Sequence, residues 1–172
     1  MQAKFLRFIE DILITPLSGL EISLSYIIGG AVRGILNGIL VLLLAYLITG
    51  LHIENWFLTL VYLSAVAWAF AGAGVIVGIY AKTWDSIMVL TNFFLMPLTF
   101  LGGVFYSIEM LPEFWQNLTM VNPLYWMING LRYATLGIAE TSHELSLGIS
   151  ILFALFFSSL ASFMFSKGYR IK

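Results

Sequence analysis

The chain has 172 residues, of which 60% are hydrophobic and only 10% are charged, and its formal net charge is −1. Soluble domains carry about a quarter charged residues, so this composition excludes a soluble domain and predicts a polytopic membrane protein. A net charge this close to zero does not favour a nucleic-acid partner. Because the chain lacks cysteine, disulfides, thiolate metal sites and a cysteine nucleophile are excluded.

The first predicted element is a short amphipathic helix over residues 4–14. Its apolar residues follow the i, i+3, i+4, i+7, i+8 spacing of one helix face; they are Phe5, Phe8, Ile9, Ile12 and Leu13. Its 11 residues rise only about 16 Å, too little to cross a bilayer. The pattern fits an interfacial helix or connector, and it also fits a cytoplasmic docking helix for a partner protein.

Four transmembrane spans are predicted from the uncharged apolar runs, so the expected fold is an all-α helical bundle in the membrane. They lie within residues 24–51, 56–80, 87–106 and 147–166. The first two spans carry small residues at helical intervals, which predicts that their backbones approach closely. These residues are Gly30, Gly34 and Gly38 on the first span, and Ala67, Ala71, Gly74 and Gly78 on the second.

Arg33 is the one charged residue within the first span. Residues 34–51 are uncharged and already near spanning length, so Arg33 is expected close to the membrane boundary, with its guanidinium reaching water. The alternative places Arg33 inside the membrane, in contact with substrate, a lipid headgroup or an acidic partner.

The stretch over residues 91–137 begins as the third span. Pro97 predicts a kink in it, and the pair Gly102–Gly103 ends the apolar run. Two half-length helices, Ile108–Val121 and Asn122–Leu136, are predicted to follow within residues 107–137.

The second half-length helix has clear boundary signals. Asn122 followed by Pro123 predicts its start, and Gly137 predicts its end. The 13 residues between Pro123 and Gly137 rise about 20 Å, short of a hydrocarbon core of about 30 Å. A structural belt that closes the end of the bundle fits this segment, and so does a re-entrant gate whose polar side meets the translocated molecule. That polar side consists of Tyr125, Asn129, Arg132 and Tyr133.

Basic residues are distributed unevenly between the two sides of the predicted bundle. One side carries Lys4, Arg7, Lys82, Lys167, Arg170 and Lys172, and the other carries Glu54, Glu109, Glu113, Glu140, Glu144 and Arg132. The positive-inside rule therefore predicts that both termini are cytoplasmic and that the half-length helices are external.

The sequence offers no catalytic or cofactor-binding constellation. His52 and His143 fall in separate loops without a neighbouring His or Cys to complete a metal site. Glu140, His143 and Glu144 are interpreted as a solvated loop. No GxxxxGK[ST] phosphate loop is present, so the chain is expected to be neither an enzyme nor an ATP-binding protein. If it drives uphill transport, a separate chain has to hydrolyse the ATP.

The stretch MPLTFLGGVFYSIEMLPEFWQNLTMVNPLYWMINGLRYATLG resembles the C-terminal signature of the ABC-2 family of ABC transporter permeases. The segments AKFLRFIEDILITPLSG and GGAVRG resemble earlier parts of the same family, so the likeness covers essentially the whole chain. The matching residues of the long stretch are Pro97, Gly102, Gly103, Phe105, Tyr106, Leu111, Pro112, Trp115, Asn122, Pro123, Gly130, Arg132, Tyr133 and Gly137.

This resemblance implies a permease that dimerises in the bacterial cytoplasmic membrane and works with two ATP-binding subunits, which hold ATP and Mg²⁺. The helix around Phe5–Leu13 would dock on the ATPase. Export of a drug-like, lipid-linked or saccharide substrate is implied. The implied external gate comprises Pro97, Gly102, Gly103, Trp115, Asn122, Pro123, Asn129, Arg132 and Tyr133.

The chain departs from the family pattern in its number of spans. The family's usual permease has six spans, whereas four are predicted here, and the N-terminal tail and first two spans are the expected missing part. A truncated or accessory membrane scaffold that does not itself transport is therefore the alternative function. An integral-membrane enzyme fits least, because ionisable residues are not clustered at one depth.

Overall fold

The computed structural model describes residues 17–81 and 83–167, which form helices and connecting loops without β-strands. The predicted amphipathic helix over residues 4–14 lies outside these residues. The helical elements are α1 (Gly19–Thr49), α2 (Trp56–Tyr80), α3 (Trp84–Leu90), a π-helical turn (Thr91–Leu95), α4 (Met96–Phe100), a 3₁₀ turn (Ile108–Met110), α5 (Glu113–Val121), α6 (Pro123–Leu136) and α7 (His143–Ser166).

Within the described part of the chain, α1, α2 and α7 are the helices long and apolar enough to cross a membrane, with 31, 25 and 24 residues. Helix α1 begins five residues before the predicted span because Ser18 and Glu21 form a capping box. The Ser18 N–H donates to Glu21 Oε2 at 2.7 Å, and Ser18 Oγ accepts from the Glu21 N–H at 3.3 Å.

The third predicted span, residues 87–106, differs from the helix observed there. The continuous helical segment runs from Trp84 to Phe100 and rises about 25 Å, short of a hydrocarbon core of about 30 Å. Pro97 has no N–H and crowds the carbonyl four residues earlier. The chain accommodates it with the π turn, in which the Met96 N–H reaches back to the Thr91 carbonyl.

Helices α1 and α2 pack antiparallel through small residues. A Cβ built on Gly30 would lie 3.0 Å from the Cβ of Ala71, and one on Gly34 would lie 3.1 Å from the Cβ of Ala67. The backbones approach this closely because glycine has no side chain to hold them apart. Farther along α1, Gly38 is covered by the side chain of Leu63.

The other two predicted packing glycines lie elsewhere on α2. Gly74 has no heavy atom within 4 Å of the position where its Cβ would be, and Gly78 is only partly buried. A different glycine of α2, Gly72, makes a close contact, since its added Cβ would lie 2.9 Å from the Cβ of Phe157. The second small-residue contact of α2 therefore involves α7.

Helix α7 completes a three-helix core by packing against both α1 and α2. Ser23 and Ser162 share a hydrogen bond of 2.7 Å between their hydroxyls, and Trp68 Nε1 donates to Ser158 Oγ at 2.8 Å. The segment α3–π–α4 packs mainly within itself and touches α6. The core residues form one cluster of Ile22, Ile79, Met164 and Phe165, and a second cluster of Ala69, Met127 and Ala154.

Leucine at position 34 is expected to separate α1 from α2, since its side chain would overlap Ala67. Overpacking of this kind costs about 1–3 kcal/mol of unfolding free energy. Thermal unfolding of the purified protein in detergent is the measurement, and Gly34→Leu should lower the midpoint. Gly74→Leu is the matched control, because that position is open. Equal midpoints for the two variants would contradict the observed packing.

Candidate functional site

Helix α6 is the short element around which the polar side chains gather, and both of its ends are capped. Asn122 Oδ1 accepts the Leu124 N–H at 3.0 Å, while Asn122 Nδ2 donates to the Leu98 carbonyl at 2.6 Å. Pro123 occupies the first turn, where its missing N–H is harmless. Gly137 ends the helix in the left-handed conformation, with φ of 72°.

The last carbonyls of α6 find donors in the loop that joins α1 to α2. The Glu54 N–H donates to the Thr135 carbonyl at 3.0 Å, and the Asn55 N–H donates to the Ala134 carbonyl at 3.1 Å. Helix C-termini leave such carbonyls unpaired, so this loop fixes the position of α6 relative to α2.

The middle of α6 lies in the crevice between α2 and α7. Gly130 packs directly against the ring of Tyr62, which is fully buried and leaves no room for a side chain at that position. The Tyr62 hydroxyl donates to the backbone carbonyl of His143 at the start of α7. On the same side, the rings of Tyr133 and His143 stack with centroids 4.2 Å apart.

Asn129 is the central polar group of this region and is only 1% exposed. Its amide nitrogen donates to Thr141 Oγ1 at 3.0 Å and to Ser146 Oγ at 2.9 Å. Its amide oxygen accepts the Glu140 N–H at 3.0 Å. Both ends of the amide are therefore used to hold the loop of residues 138–142 and the first turns of α7 against α6. Tyr125 adds to this contact through Thr141 Oγ1 at 3.4 Å, and burial raises the pKa of the Tyr125 hydroxyl.

Arg132 and Glu140 form an ion pair that joins three segments. Arg132 Nη1 lies 2.8 Å from Glu140 Oε1, and the two side chains are 22% and 11% exposed. The second guanidinium nitrogen donates to the Gly103 carbonyl. The other Glu140 oxygen accepts the Ile108 N–H at 3.1 Å. The pair thus ties α6 to the loop of residues 101–108.

We refer to α6 together with the loops 101–108 and 138–142 as the α6 site. The predicted gate residues that meet there are Gly102, Gly103, Asn122, Pro123, Asn129, Arg132 and Tyr133. Two others lie at its margin: Pro97 is in α4, and Trp115 is on α5 with 43% of its surface exposed. The polar side of α6 faces its own chain, where Tyr125, Asn129 and Arg132 hydrogen-bond to the loops and to α7. In this structure these groups are therefore satisfied within the chain, as a structural belt or a closed gate requires.

Sequence reasoning missed Glu140, Thr141 and Ser146, and it interpreted the segment from Glu140 to Glu144 as solvated. The fold instead turns the chain back at Gly137, so the carboxylate of Glu140 meets Arg132 eight residues earlier. One signal was available in the sequence. Arg132 is the single basic residue on its predicted side of the bundle, and an arginine near a membrane needs a nearby anion. Glu140 is the first acidic residue after Arg132 in the sequence.

Arg33 lies in the middle of α1, 14 residues after Gly19 and 16 before Thr49, and it is exposed. The helix therefore continues for about four turns on both sides of Arg33, and the expected boundary position of Arg33 stays a prediction. The predicted coupling residues Phe5, Phe8, Ile9, Ile12 and Leu13 lie outside the described residues.

An apolar cleft of about 100 Å³ lies beside the first turns of α6. Its walls come from α2, α6, α7 and the π turn, and include Ala69, Leu95, Pro123, Met127 and Phe153. Such a cleft suits a hydrocarbon group. Among residues 17–81 and 83–167, His and acidic side chains are not grouped closely enough to hold a metal ion.

These observations define a polytopic helical protein with membrane-length helices and a capped, cross-linked short-helix element at one end of the bundle. Residues 1–136 match the ABC-2 type transporter family. The chain belongs to this family.

Several named proteins are similar to the chain. It is 37% identical over 166 residues to the inner membrane transport permease YadH of Escherichia coli K12, an alignment that covers 96% of this chain and 65% of that protein. The same values hold for YadH of Shigella flexneri. It is 31% identical over 139 residues to nodulation protein J of Sinorhizobium fredii, covering 79% of this chain and 51% of that protein.

The chain therefore spans just under two thirds of the length of the YadH proteins that it matches. No solved structure matches it.

Glutamine at position 140 is expected to destabilise the protein by about 2 kcal/mol. The change keeps the shape of the side chain but leaves the Arg132 guanidinium without its counter-charge. Fully buried pairs lose about 3–5 kcal/mol when one partner is removed, and partial exposure reduces that cost. Thermal unfolding of the purified protein measures the effect.

Glu109→Gln is the matched control, because Glu109 is an exposed acid on the neighbouring 3₁₀ turn. The double variant Arg132→Gln/Glu140→Gln should cost less than the two single changes added together. Additive losses would mean that the ion pair does not couple α6 to its loop.

Proposed function

We propose that the chain is a transmembrane permease subunit of an ATP-driven exporter in the bacterial cytoplasmic membrane. The observation that carries the proposal is the 37% identity to a protein named as an inner membrane transport permease, which extends over 96% of this chain. The alignment is long enough to include the three membrane-length helices and the α6 site. The substrate proposed is drug-like, lipid-linked or saccharide, and it leaves the cytoplasm.

The α6 site serves in this proposal as the external gate. A gate has to exclude water and ions while closed, so its polar groups need partners within the protein. The hydrogen bonds of Asn129 and the Arg132–Glu140 pair meet that need. Opening would move α6 and its loops together, since these contacts hold the loops to the helix.

A separate ATP-binding subunit supplies the energy and binds ATP and Mg²⁺, and this chain binds no cofactor itself. The amphipathic helix of residues 4–14 is the proposed docking element. Its apolar face would fit a cleft on the ATPase, because helix-in-groove recognition uses anchors at this spacing. A homodimer of the permease completes the proposed assembly.

Aspartate at positions 8 and 9 together is expected to abolish co-purification with the ATP-binding subunit expressed beside the permease. Two charges on the apolar face would have to be desolvated in the groove, which costs several kcal/mol. Pull-down from detergent-solubilised membranes, with quantitation of the ATPase per permease, is the measurement.

Arg7→Gln, on the polar side of the same helix, is the matched control and should keep the ATPase bound. Retention of the ATPase by Phe8→Asp/Ile9→Asp would overturn the docking role. If the wild-type protein binds the ATPase and expression of the pair moves no substrate, the scaffold function replaces the exporter.

The proposed topology places both termini in the cytoplasm, and single cysteines test it directly because the chain has none of its own. Ser142→Cys, just before α7, should react with a membrane-impermeant maleimide in intact cells. Ser86→Cys, at the start of α3, should react only after the membrane is permeabilised. Both positions are exposed in the structure, so their accessibility to the reagent is matched. The reverse labelling pattern would place the α6 site in the cytoplasm.

A further inference from the structure

The backbone of the third apolar segment, Trp84–Phe100, is interrupted between α3 and α4. Residues Thr91–Leu95 form the π turn, in which the Met96 N–H reaches back to the Thr91 carbonyl. Pro97 follows and has no N–H, so the backbone here lacks a hydrogen bond that an uninterrupted helix would have. Helices bend where their hydrogen-bond ladder is interrupted, and π turns within helices are frequent at functional sites. The segment can therefore bend at this turn.

The outer side of the turn is tied to α6 by one side chain. The Gly102 N–H donates to the Thr99 carbonyl at 3.0 Å, which leaves the Leu98 carbonyl without the donor that a continuing α-helix would supply. Asn122 Nδ2 donates to this carbonyl at 2.6 Å, while its Oδ1 accepts the Leu124 N–H at 3.0 Å. The side chain is buried. A single amide thus joins the end of α4 to the start of α6.

Two further contacts continue this attachment along α6. Gly102 packs so closely against the helix that an added Cβ would lie 2.7 Å from Ile128 Cδ1. The Gly103 carbonyl accepts a hydrogen bond from the guanidinium of Arg132. Together with the amide of Asn122, these contacts hold the outer end of the segment to α6 over about 15 Å of helix.

The inner side of the turn is attached differently. Helix α3 follows α2 after a short loop, and in the part of the chain that the structure describes it packs chiefly against the π turn. The apolar cleft lies beside the same turn, with Leu95, Ala69 and Pro123 in its wall. The cleft gives the side chain of Leu95 room to repack when the turn bends.

The π turn lies near the middle of the bundle. Leu95 and Ala69 line the same cleft, and Ala69 is 13 residues after Trp56 and 11 before Tyr80 on α2. From this level α4 runs outward along α6, towards the start of α2, and α3 lies towards the end of α2. A bend at the turn therefore changes the angle of α3 and leaves the contacts of α4 with α6 intact.

We propose that the turn Thr91–Leu95 is a hinge, and that Asn122 is the positioning residue that keeps α4 on α6 while α3 changes its angle. Hinges absorb motion in a few residues between two bodies. In a transport cycle this hinge would open the inner side of the bundle while the α6 site stays closed, as alternating access requires. That use rests on the proposed function, whereas the hinge itself does not.

The test uses the full chain in lipid nanodiscs, with pairs of spin-labelled cysteines, because the chain has no cysteine of its own. The reference label is Phe57→Cys at the start of α2, where the Asn55 N–H is bonded to the end of α6. It is paired with Phe100→Cys on α4 or with Met88→Cys on α3, and all three labelled positions are exposed. Labelled chains are diluted with unlabelled ones, so that double electron–electron resonance reports distances within one chain.

The distance distribution of the Met88 pair should be broader than that of the Phe100 pair by about 3 Å. A kink of about 25° moves a point five residues from the turn through such an arc. Equal widths of the two distributions would overturn the hinge.

Asn122→Ser tests the positioning role. Serine still caps the first turn of α6, but its side chain is too short to reach the Leu98 carbonyl, so the distribution of the Phe100 pair should broaden to that of the Met88 pair. Asn117→Ser, the same change at an exposed position of α5, is the matched control and should leave it narrow. A narrow Phe100 distribution in Asn122→Ser would overturn the role of Asn122.

Pro97→Ala tests the hinge independently, also if Asn122→Ser does not fold. Alanine restores the N–H and allows a continuous helix, so the Met88 distribution should narrow to the width of the Phe100 distribution. Pro123→Ala is the control, because proline in the first turn of a helix removes no hydrogen bond. An unchanged Met88 distribution in Pro97→Ala would overturn the hinge. The samples contain neither ATPase nor substrate, so a failed pull-down would sink the exporter function without changing this result.

Discussion

Both ends of helix α6 are held by other parts of the chain, and this constraint shapes everything around it. A helix end leaves backbone N–H or C=O groups unpaired, and within a packed bundle other parts of the chain have to satisfy them. Asn122 caps the first turn, and the backbone of Glu54 and Asn55 supplies donors for the last carbonyls. A short helix can therefore stop within the bundle only because two other parts of the chain are brought to its ends.

The same need for partners distinguishes the two arginines of the described helical region. Arg132 has a carboxylate and a backbone carbonyl within its reach, and it joins α6 to a loop. Arg33 sits halfway along α1 and is exposed. The charge of Arg132 is balanced within the chain, whereas Arg33 forms no ion pair with the residues that the structure describes.

Local signals in the sequence predicted much of the helix pattern. Proline after Asn122 and glycine at position 137 marked the ends of α6, and the uncharged run from Trp56 to Tyr80 matches α2 residue for residue. The capping box at Ser18 is also a local signal, and it extends α1 beyond the predicted start. Pro97 indicated a kink, and the structure contains a π turn there, because either distortion relieves the clash of the proline ring.

The sequence by itself determined that the chain is an apolar helical protein, where α2 and α6 begin and end, and which family it resembles. These properties depend on composition and on residues within a turn of each other. Tertiary structure decided that Gly34 packs against α2 while Gly74 is open, and that Glu140 pairs with Arg132. Each of these depends on the register between helices, which is set by the packing of side chains far apart in the chain.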